Sequence, residues 1–272
     1  MLSERFTKHS IQESKGSTNP YINFPDIAKF EFALPPIDQQ RRIAEVLWEA
    51  DENVQKYSAL LAALEQAKAA TVDAFAGGDR GANHLIRLVD GCQRVTDGTH
   101  QPPKFTDGGV PFFLVKTISS GRVEWEHTKF VSQQTYGELT RRVRPKRGDI
   151  LYTAVGATYG VALLVDFDEP FVFQRHIAHI IPDSNILDSD YLVLFLNSPQ
   201  GKRQSDRAAI GSAQPTVTLK SLSSFQVPCP SLVQQKELTA KANSFDLATG
   251  QASKALDDLR AVRAGILNAI LP

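Results

Sequence analysis

The sequence predicts an α+β protein in which one globular, mainly antiparallel domain is flanked by two long helices that form an antiparallel coiled coil. Three observations predict this arrangement. The segment that begins at Gly16 is repeated without a gap from Gly211, 195 positions later, to the C-terminus. Both copies end in a long helical pattern. The segment between them consists of short β-branched and aromatic runs separated by Gly and Pro.

The repeat is carried by identical residues spread over both copies. The pairs are Gly16 and Gly211, Pro20 and Pro215, Phe30 and Phe225, Pro35 and Pro230, Gln39-Gln40 and Gln234-Gln235, and Asp51 and Asp246. Two matching arms around one globular unit are typical of a protein that acts as a spacer and a reader. They are not typical of an enzyme with a single site.

The first copy divides into a short N-terminal part and a helix. Residues 1–15 are polar, and we expect little order in them; residues 16–34 are expected to form a turn and short apolar strands. The Pro35-Pro36 pair cannot lie inside a helix but fits the start of one. A helical pattern then runs from Asp38 to Phe75, on the order of 50–55 Å. Gly77-Gly78 and Gly81 are expected to end it.

Both helices carry a heptad seam of apolar residues at alternating spacings of four and three. The first seam is Ile43, Leu47, Ala50, Val54, Tyr57, Leu61, Leu64, Thr71 and Phe75, with Lys68 in register. The second seam is Leu238, Ala242, Phe245, Thr249, Ala252, Leu256, Leu259, Ile266 and Ile270, with Arg263 at the position of Lys68. A lone helix with such a seam is unstable in water.

We therefore expect the two helices, the second over residues 235–271, to pair with each other; pairing between two copies of the chain is the alternative. Lys68 and Arg263 are expected to reach past the seam to solvent or to the opposite helix, or else to lie at frayed helix ends.

Residues 84–232 are predicted to form the globular domain. Strands are expected at Pro111–Ile118, Asp149–Thr153, Gly160–Val165, Pro170–Phe173 and His176–Ile181. Short helices are expected at Asp190–Leu196 and Ser198–Ala209, and the segment from Gly156 to Gly160 is interpreted as a turn between strands.

The composition limits the classes of protein. Lys+Arg 30 and Asp+Glu 30 give a net charge of zero, so bulk charge cannot hold a polyanion, although a local basic surface can. Cys92 and Cys229 lack metal-ligand spacing and are expected to be reduced thiols. Residues 1–15 contain no apolar run of a signal peptide, and no stretch approaches the roughly 20 apolar residues of a membrane span. A cytoplasmic protein is predicted.

Several motifs, in this order, resemble those of the specificity subunits of type I restriction-modification enzymes. Asp97-Gly98-Thr99-His100, with Pro103 and Gly109-Val110-Pro111, resembles the opening of their target recognition domain. Lys146-Arg147-Gly148-Asp149-Ile150-Leu151, followed by Gly156 and Gly160, resembles the middle of that domain. Leu34-Pro35-Pro36 with Gln39-Gln40 and Ile43 is similar to the junction into a spacer helix, and Pro228, Pro230 and Gln234-Gln235 match that junction more loosely.

The resemblance covers nearly the whole chain and implies a half-length or truncated specificity subunit with one complete target recognition domain. The implied organisation is a remnant of the end of a first recognition domain (1–34), a first conserved spacer helix (35–83), the target recognition domain (84–232) and a second conserved spacer helix (233–272).

The resemblance also implies the partners. They are double-stranded DNA, a methylation subunit that carries S-adenosylmethionine and the adenine chemistry, and a restriction subunit. Two copies of the chain are expected to be able to dimerise and read an inverted repeat. The chain itself is expected to be non-catalytic and to hold no cofactor. The alternative is a scaffold that binds the methylation subunit through its helices without reading DNA sequence.

A DNA reader needs cationic groups for phosphates and polar groups for base edges. The basic candidates are Lys116, Arg141, Arg142, Arg144, Lys146, Arg147, Lys202, Arg203 and Arg207. The polar candidates are Thr96, Asp97, Gly98, Thr99, His100, Gln101, Gln174, Arg175 and Gln214. The alternatives are a solvated charged face for the basic run and a plain Asp-Gly turn for the loop.

No catalytic or metal motif is complete. Asn19-Pro20-Tyr21 faintly resembles the tetrapeptide of adenine methyltransferases but lacks its second proline, and the repeat aligns it with a turn at Gln214-Pro215-Thr216. No Gly-rich phosphate loop follows a strand. His176 and His179 would point to opposite faces of a strand and therefore suit a metal poorly. The sequence predicts neither an enzyme nor a metal site.

Overall fold

The computed structural model of the protein describes residues 4–31, 33–77, 84–142 and 144–270. The helices are α1 Glu4–Gln12, α2 Phe24–Ile27, α3 Ile37–Gly77, α4 Val115–Ile118, α5 Gln133–Leu139, α6 Ser189–Leu196, α7 Pro199–Ala208, α8 Leu219–Ser223 and α9 Leu232–Ile270. The strands are β1 Leu85–Arg87, β2 Cys92–Asp97, β3 Phe105–Thr106, β4 Val110–Phe113, β5 Lys129–Val131, β6 Ile150–Thr153, β7 Ala162–Leu164, β8 Val172–Phe173, β9 Ile177–Pro182 and β10 Gln226–Pro228.

The chain divides into two compact units, of which the first contains residues 1–66 and 245–272. In this unit the end of α9 lies beside the beginning of α3: the Arg263 guanidinium donates to the Asp51 carboxylate at 2.5 and 3.2 Å. The two helices are therefore partners within one chain, as predicted. Arg263 reaches the opposite helix, which was one of the two expectations for this position.

The burial pattern of both long helices follows the predicted seam. From Ile43 to Leu64 every seam residue of α3 is half-buried. On α9, Leu238, Ala242, Ala252 and Leu256 are 2–5% exposed. The seam prediction is confirmed over these positions. The side chains of Phe75 and Ile270, and the helix end expected at Gly78 and Gly81, lie outside the described residues.

Of the N-terminal expectations, the turn that begins at Gly16 is present, with φ +90° at that residue, whereas the other two were wrong. The residues expected to be poorly ordered form α1, in which Phe6 packs edge-to-face on Phe30 with ring centroids 5.0 Å apart. The apolar strands expected after residue 16 are replaced by the short helix α2, which has Pro25 in its first turn, where proline favours a helix start. The structural repeat extends beyond the sequence repeat that begins at Gly16: α1 and α2 begin 195 positions before α7 and α8, respectively, and are helical like them.

The second unit, residues 67–244, contains the sheets. One four-stranded sheet has the order β2-β9-β6-β7 and is antiparallel throughout. The other has the order β3-β5-β4-β8, in which β4 and β8 are parallel and the other pairs antiparallel. β1 and β10 form an antiparallel pair. The prediction of a mainly antiparallel α+β domain is confirmed.

Among the residues that the structure describes, the core of this unit has three clusters, two of which involve the first sheet. The larger packs α6 against β6 and β9, with Tyr152, Ile180, Leu192 and Phe195 each at most 2% exposed. The second cluster includes Phe113, Leu151 and Phe171. Burial of these apolar surfaces is the main term that stabilises the domain.

One predicted strand is partly helical. β4 ends at Phe113, and α4 replaces the second half of the strand expected over Pro111–Ile118. The Thr117 hydroxyl accepts from the Leu114 N–H at 3.1 Å, so a local side-chain cap replaces the sheet hydrogen bond. Among the described residues, no helix is both long enough and apolar enough to cross a membrane.

Candidate nucleic-acid interface

The loops that carry most of the candidate polar residues meet at one end of the first sheet. β2 ends at Asp97 and β6 at Thr153, while β7 begins at Ala162 and β9 at Ile177. Because neighbouring strands are antiparallel, these four strand termini lie at the same end of the sheet. The loop of residues 97–101 and the segment of residues 174–176 therefore emerge on one side, as a DNA-reading surface requires.

Backbone hydrogen bonds join these two segments directly. The Thr99 N–H donates to the Phe173 carbonyl at 3.1 Å, and the Arg175 N–H donates to the Thr99 carbonyl at 3.0 Å. A Cβ atom at Gly98 would overlap the Phe173 carbonyl oxygen and lie 2.6 Å from that of Gln174. Glycine is required here for close backbone approach. The two sets of residues thus form one continuous surface.

The surface continues to the turn that contains Gln214. The Ala154 N–H donates to the His176 carbonyl at 2.9 Å, and the Gly156 N–H donates to the Pro215 carbonyl at 2.9 Å. Gln214 is exposed. On the other side, the Gln174 N–H donates to the Phe113 carbonyl at 3.1 Å, so α4 with the exposed Lys116 begins beside the same segment.

The basic residues of α7 lie next to this turn region and differ in their partners. Lys202 lies 4.0 Å from the centroid of the Tyr159 ring and forms an ion pair with Asp206 at 2.5 Å. Lys202, and then the Tyr159 hydroxyl, hold the pKa of Asp206 below its ordinary value. Within the part of the chain that the structure describes, Arg203 and Arg207 have no carboxylate partner. Two exposed guanidinium groups are therefore available to an anion.

The basic run 141–147 is divided between two places. Arg141 and Arg142 are exposed and line a cavity beside the loop of residues 97–101, and Arg144 lies 5.4 Å from the centroid of the Tyr136 ring. Lys146 is exposed, and its backbone N–H donates to the Asp149 carboxylate at 3.0 Å. Arg147 precedes the start of β6, at the opposite end of the sheet from the loops.

Arg147 is already occupied by acidic partners. Its guanidinium donates twice to Asp168 at 2.9 Å and also to the Asp166 carbonyl. Asp168 raises the pKa of Arg147, and Arg147 lowers that of Asp168. Arg147 therefore differs from the other candidates both in its position at the start of β6 and in its ion pair with Asp168.

Two cavities flank the loop. One, of about 480 Å³, is lined by Arg94, Thr96, Arg141 and Arg142 above a floor that includes Phe173 and His179. The other, of about 360 Å³, is lined by Gln101, Gln174, Arg175 and His176 together with Phe105 and Phe112. Concave sites with convergent polar groups on an apolar base are where ligands bind most often.

A buried contact between a histidine and a carboxylate lies beside the first cavity. The His179 Nε2 is 2.7 Å from an oxygen of the Asp149 carboxylate, and the two side chains are 1% and 2% exposed. Sequence reasoning missed this pair because the partners are 30 residues apart. It also missed Arg94, although Arg94 and Thr96 are two positions apart on β2 and therefore lie on the same face of the strand.

The histidines considered for a metal have other surroundings. His176 is half-buried, and burial, followed by the neighbouring charge of Arg175, lowers its pKa. Among the described residues, the grouping with ligand atoms within 4.8 Å of one another is Glu124, Glu126 and His127, which includes neither His176 nor His179.

The fold is thus a mainly antiparallel domain with polar loops at one sheet end, joined to two long helices that pair with each other. The chain belongs to the family of type I restriction modification DNA specificity domains, whose model matches residues 2–66 and 105–255.

Curated relatives are similar to the chain at low identity. The MjaVIII specificity subunit of a type I restriction enzyme from Methanocaldococcus jannaschii is 22% identical over 289 aligned positions, which cover 99% of this chain and 67% of the relative. The EcoBI specificity subunit from Escherichia coli is 25% identical over 161 positions, which cover 59% of this chain and 34% of the relative.

Solved structures share the fold. The HsdS subunit from Thermoanaerobacter tengcongensis aligns with a TM-score of 0.63 at 18% identity, over 99% of this chain and 67% of that one. The S subunit of a type I restriction-modification system from M. genitalium aligns with a TM-score of 0.57 at 15% identity, over 98% and 72%. The predicted family and fold class are confirmed.

Proposed function

We propose that this chain is a non-catalytic specificity subunit that reads one half-site of double-stranded DNA through residues 84–232. The observation that carries the proposal is the convergence of the loop of residues 97–101, the segment of residues 174–176 and the turn with Gln214 at one sheet end. Family membership supports it, as do relatives that are named specificity subunits. Polar loops on a rigid sheet suit base edges, which carry the sequence information.

In this proposal, one set of residues contacts the phosphates and another contacts the base edges. Lys116, Arg141, Arg142, Arg203 and Arg207 are exposed and would contact phosphates, while Lys202 is partly compensated by Asp206. Gln101, Gln174, Arg175 and Gln214 would read base edges, with Thr96, Asp97, Thr99 and His100 shaping the loop. Arg144 and Lys146 are exposed and are assigned to neither group. We leave out Arg147 because Asp168 and Asp166 already satisfy its donors.

The helices supply the second part of the proposal. The segments 35–83 and 233–272 form a spacer that sets half-site separation and binds the methylation subunit, while residues 1–34 correspond to the end of a first recognition domain. The methylation subunit supplies S-adenosylmethionine and the adenine chemistry, and a restriction subunit joins for cleavage. A second copy of the chain, related by a two-fold axis, would read an inverted repeat.

The test is co-expression with the cognate methylation subunit, followed by genome-wide mapping of methylated adenines. A symmetric, interrupted motif is expected from a dimer with one reading domain per chain. An asymmetric bipartite motif would show that a different recognition domain is supplied by another chain. Co-purification of the methylation subunit without sequence-specific methylation would contradict the reading function and leave only a scaffold.

A matched pair of variants connects the motif to the surface. Gln174→Ala removes an amide from the proposed base-reading segment, whereas Gln134→Ala removes one from α5, where it donates to Glu138 at 3.1 Å. Gln174→Ala is expected to relax or abolish the methylated motif, since each good base contact contributes about 1–3 kcal/mol of discrimination. Gln134→Ala is expected to leave the motif unchanged.

A further inference from the structure

Two segments of the chain share one local structure but differ in what covers them. The first closing segment consists of residues 4–31 and 33–37, and the second closing segment consists of residues 199–232. Each contains two helices, joined by a turn in which a glycine has φ +90°. In the second closing segment, Leu222 and Phe225 belong to the larger core cluster of the domain and are at most 4% exposed.

The first closing segment leaves the equivalent apolar face open. Phe24 and Leu34 are 78% and 69% exposed. Leu219 and Cys229, at the same positions of the repeat, are half-buried against the core cluster. The less exposed positions follow the same trend, since Ile22, Ile27 and Phe30 are half-buried whereas their counterparts Val217, Leu222 and Phe225 are buried. Contiguous exposed apolar surface of this kind indicates an interaction site.

The second closing segment also binds the rest of its domain, residues 84–198, through polar groups. The Val217 N–H donates to the Ala154 carbonyl at 2.8 Å, and the Ser205 and Tyr152 hydroxyls are 2.7 Å apart. Strand β10, which lies in this segment, pairs antiparallel with β1. Residues 84–198 are called the domain body below. The body thus covers the second closing segment with apolar contacts, side-chain and backbone hydrogen bonds and a paired strand.

The first closing segment repeats these polar groups without their partners. Ser10 and Ile22 stand 195 positions before the serine and the valine that bind the body. Among the described residues, neither the Ser10 hydroxyl nor the Ile22 N–H has a hydrogen-bond partner. Glu31 and Ala33 lie at positions equivalent to β10 but pair with no strand in the described part of the chain. The open face therefore offers the same kinds of contact that the body uses elsewhere.

The first closing segment is already folded without a cover. Lys15 and Tyr21 exchange two backbone hydrogen bonds at 2.8 and 2.9 Å. Lys15 and Lys29 each lie 2.9 Å from the Asp26 carboxylate, which is buried. A surface that is ordered in advance binds a partner without the cost of ordering it.

We propose that the first closing segment is a docking surface for a second domain body, carried by a separate polypeptide that lacks a closing segment of its own. The repeat supports this occupant, because a domain body covers the same structure where it recurs. Such a complex carries two reading domains and recognises two half-sites. That consequence rests on the proposed function, whereas the docking does not.

The experiment measures capture of a probe by the tagged full chain. The probe is residues 84–198 of this chain, fused to a soluble carrier protein. This body suits the first closing segment because the serine and the phenylalanine that it contacts, Ser205 and Phe225, recur there as Ser10 and Phe30. A one-to-one complex with the probe, and none with the carrier alone, is expected. If the full chain does not capture the probe, the proposal is overturned.

A double variant and a matched control locate the docking surface. Phe24→Ser/Leu34→Ser removes two exposed apolar side chains and is expected to weaken capture about tenfold or more. Trp48→Ser removes a side chain of α3 that is 72% exposed and lies outside the segment, and capture is expected to stay unchanged. Equal capture by both variants would overturn the proposal.

Hydrogen exchange gives a second readout that needs no variant. Binding of the probe is expected to slow exchange of the Ile22 N–H, as a hydrogen bond from the body protects the equivalent Val217. Exchange of the Gly108 N–H, which lies outside the first closing segment, is expected to stay the same. Capture of the probe without slower exchange at Ile22 would place it on another surface and overturn the proposal.

Sedimentation of the full chain alone tests a second copy as the occupant. A dimer that is lost in Phe24→Ser/Leu34→Ser but kept in Trp48→Ser would assign the face to self-association and overturn the proposal. The docking and the reading function fail separately. Specific duplex binding without capture of the probe would overturn this inference alone, and capture without specific duplex binding would overturn the proposed function alone.

Discussion

At the scale of single residues, the candidate interface depends on contacts between segments distant in sequence. Gly98 shows this most directly. It is conspicuous in the sequence as half of an Asp-Gly pair, which by itself indicates only a turn. In the structure its importance comes from the carbonyl oxygens of Phe173 and Gln174, which leave no room for a Cβ atom.

Gly98→Ala is expected to push the loop away from this segment and to break the Thr99 to Phe173 hydrogen bond. Overpacking of this kind costs about 1–3 kcal/mol of unfolding free energy. Specific affinity for the methylated motif should fall with it. Urea unfolding and a duplex-binding titration measure the two effects.

Gly108→Ala is the control for Gly98→Ala, because a Cβ atom there meets nothing within 4 Å. Its unfolding free energy and duplex affinity are expected to match those of the unmodified chain. Equal behaviour of the two variants would contradict the role assigned to close backbone approach at Gly98.

At the scale of elements, the repeat specifies a local structure twice. The bridge between Lys15 and Tyr21 recurs between Ile210 and Thr216, and Gly16 and Gly211 both have φ +90°. Gln40 donates to the Pro35 carbonyl at 2.7 Å, and Gln235 donates to the Pro230 carbonyl at 2.9 Å. Equivalent short-range interactions therefore form in both copies, whatever packs around them.

The N-terminal elements also contain a charge cluster with a defined pH dependence. Lys29, followed by Lys15, holds the pKa of Asp26 at about 2, below its ordinary value of 3.8. Both lysines lie 2.9 Å from the carboxylate. Because the folded pKa is below the unfolded one, the stability from this cluster is complete above pH 3.8 and is lost as the pH falls through about 2.

Removal of one lysine is expected to move this transition. In Lys29→Ala the pKa of Asp26 should rise toward 3.8, which carboxyl-carbon NMR titration measures. Lys56→Ala, which removes the partner of Glu52 on α3, is expected to leave the Asp26 titration unchanged. An Asp26 titration that is the same in both variants would contradict the assigned ion pairs.

At the scale of the whole molecule, a net charge of zero means that attraction to DNA must come from where the charges lie. Some basic residues are neutralised by neighbouring carboxylates, as Arg147 is by Asp168. Arg203 and Arg207 on α7 have no such partner among the residues described. The number of unpaired cations on the reading surface, and not the total charge, should therefore set the salt dependence of binding.

The double variant Arg203→Ala/Arg207→Ala is expected to reduce the slope of log affinity against log salt concentration by about 2, since each phosphate contact contributes about 0.9. Arg147→Ala is expected to leave the slope unchanged. Titrations of the methylated motif at several salt concentrations measure both. A larger change for Arg147→Ala than for the double variant would contradict the proposed surface.

The sequence by itself determined the features that repeat or are periodic. The seams of α3 and α9, the α+β class and the family follow from patterns within short windows or at one constant offset, and short-range interactions enforce them. Only the tertiary structure decided which residues share a site. It joined Thr99 to Phe173, paired His179 with Asp149, and removed Arg147 from the basic run. It also showed that residues 4–12 form α1, in which Phe6 packs on Phe30 of the same unit. These contacts join residues about 20–75 positions apart, and some of them depend on the register of the strands. Local sequence carries little information about such contacts.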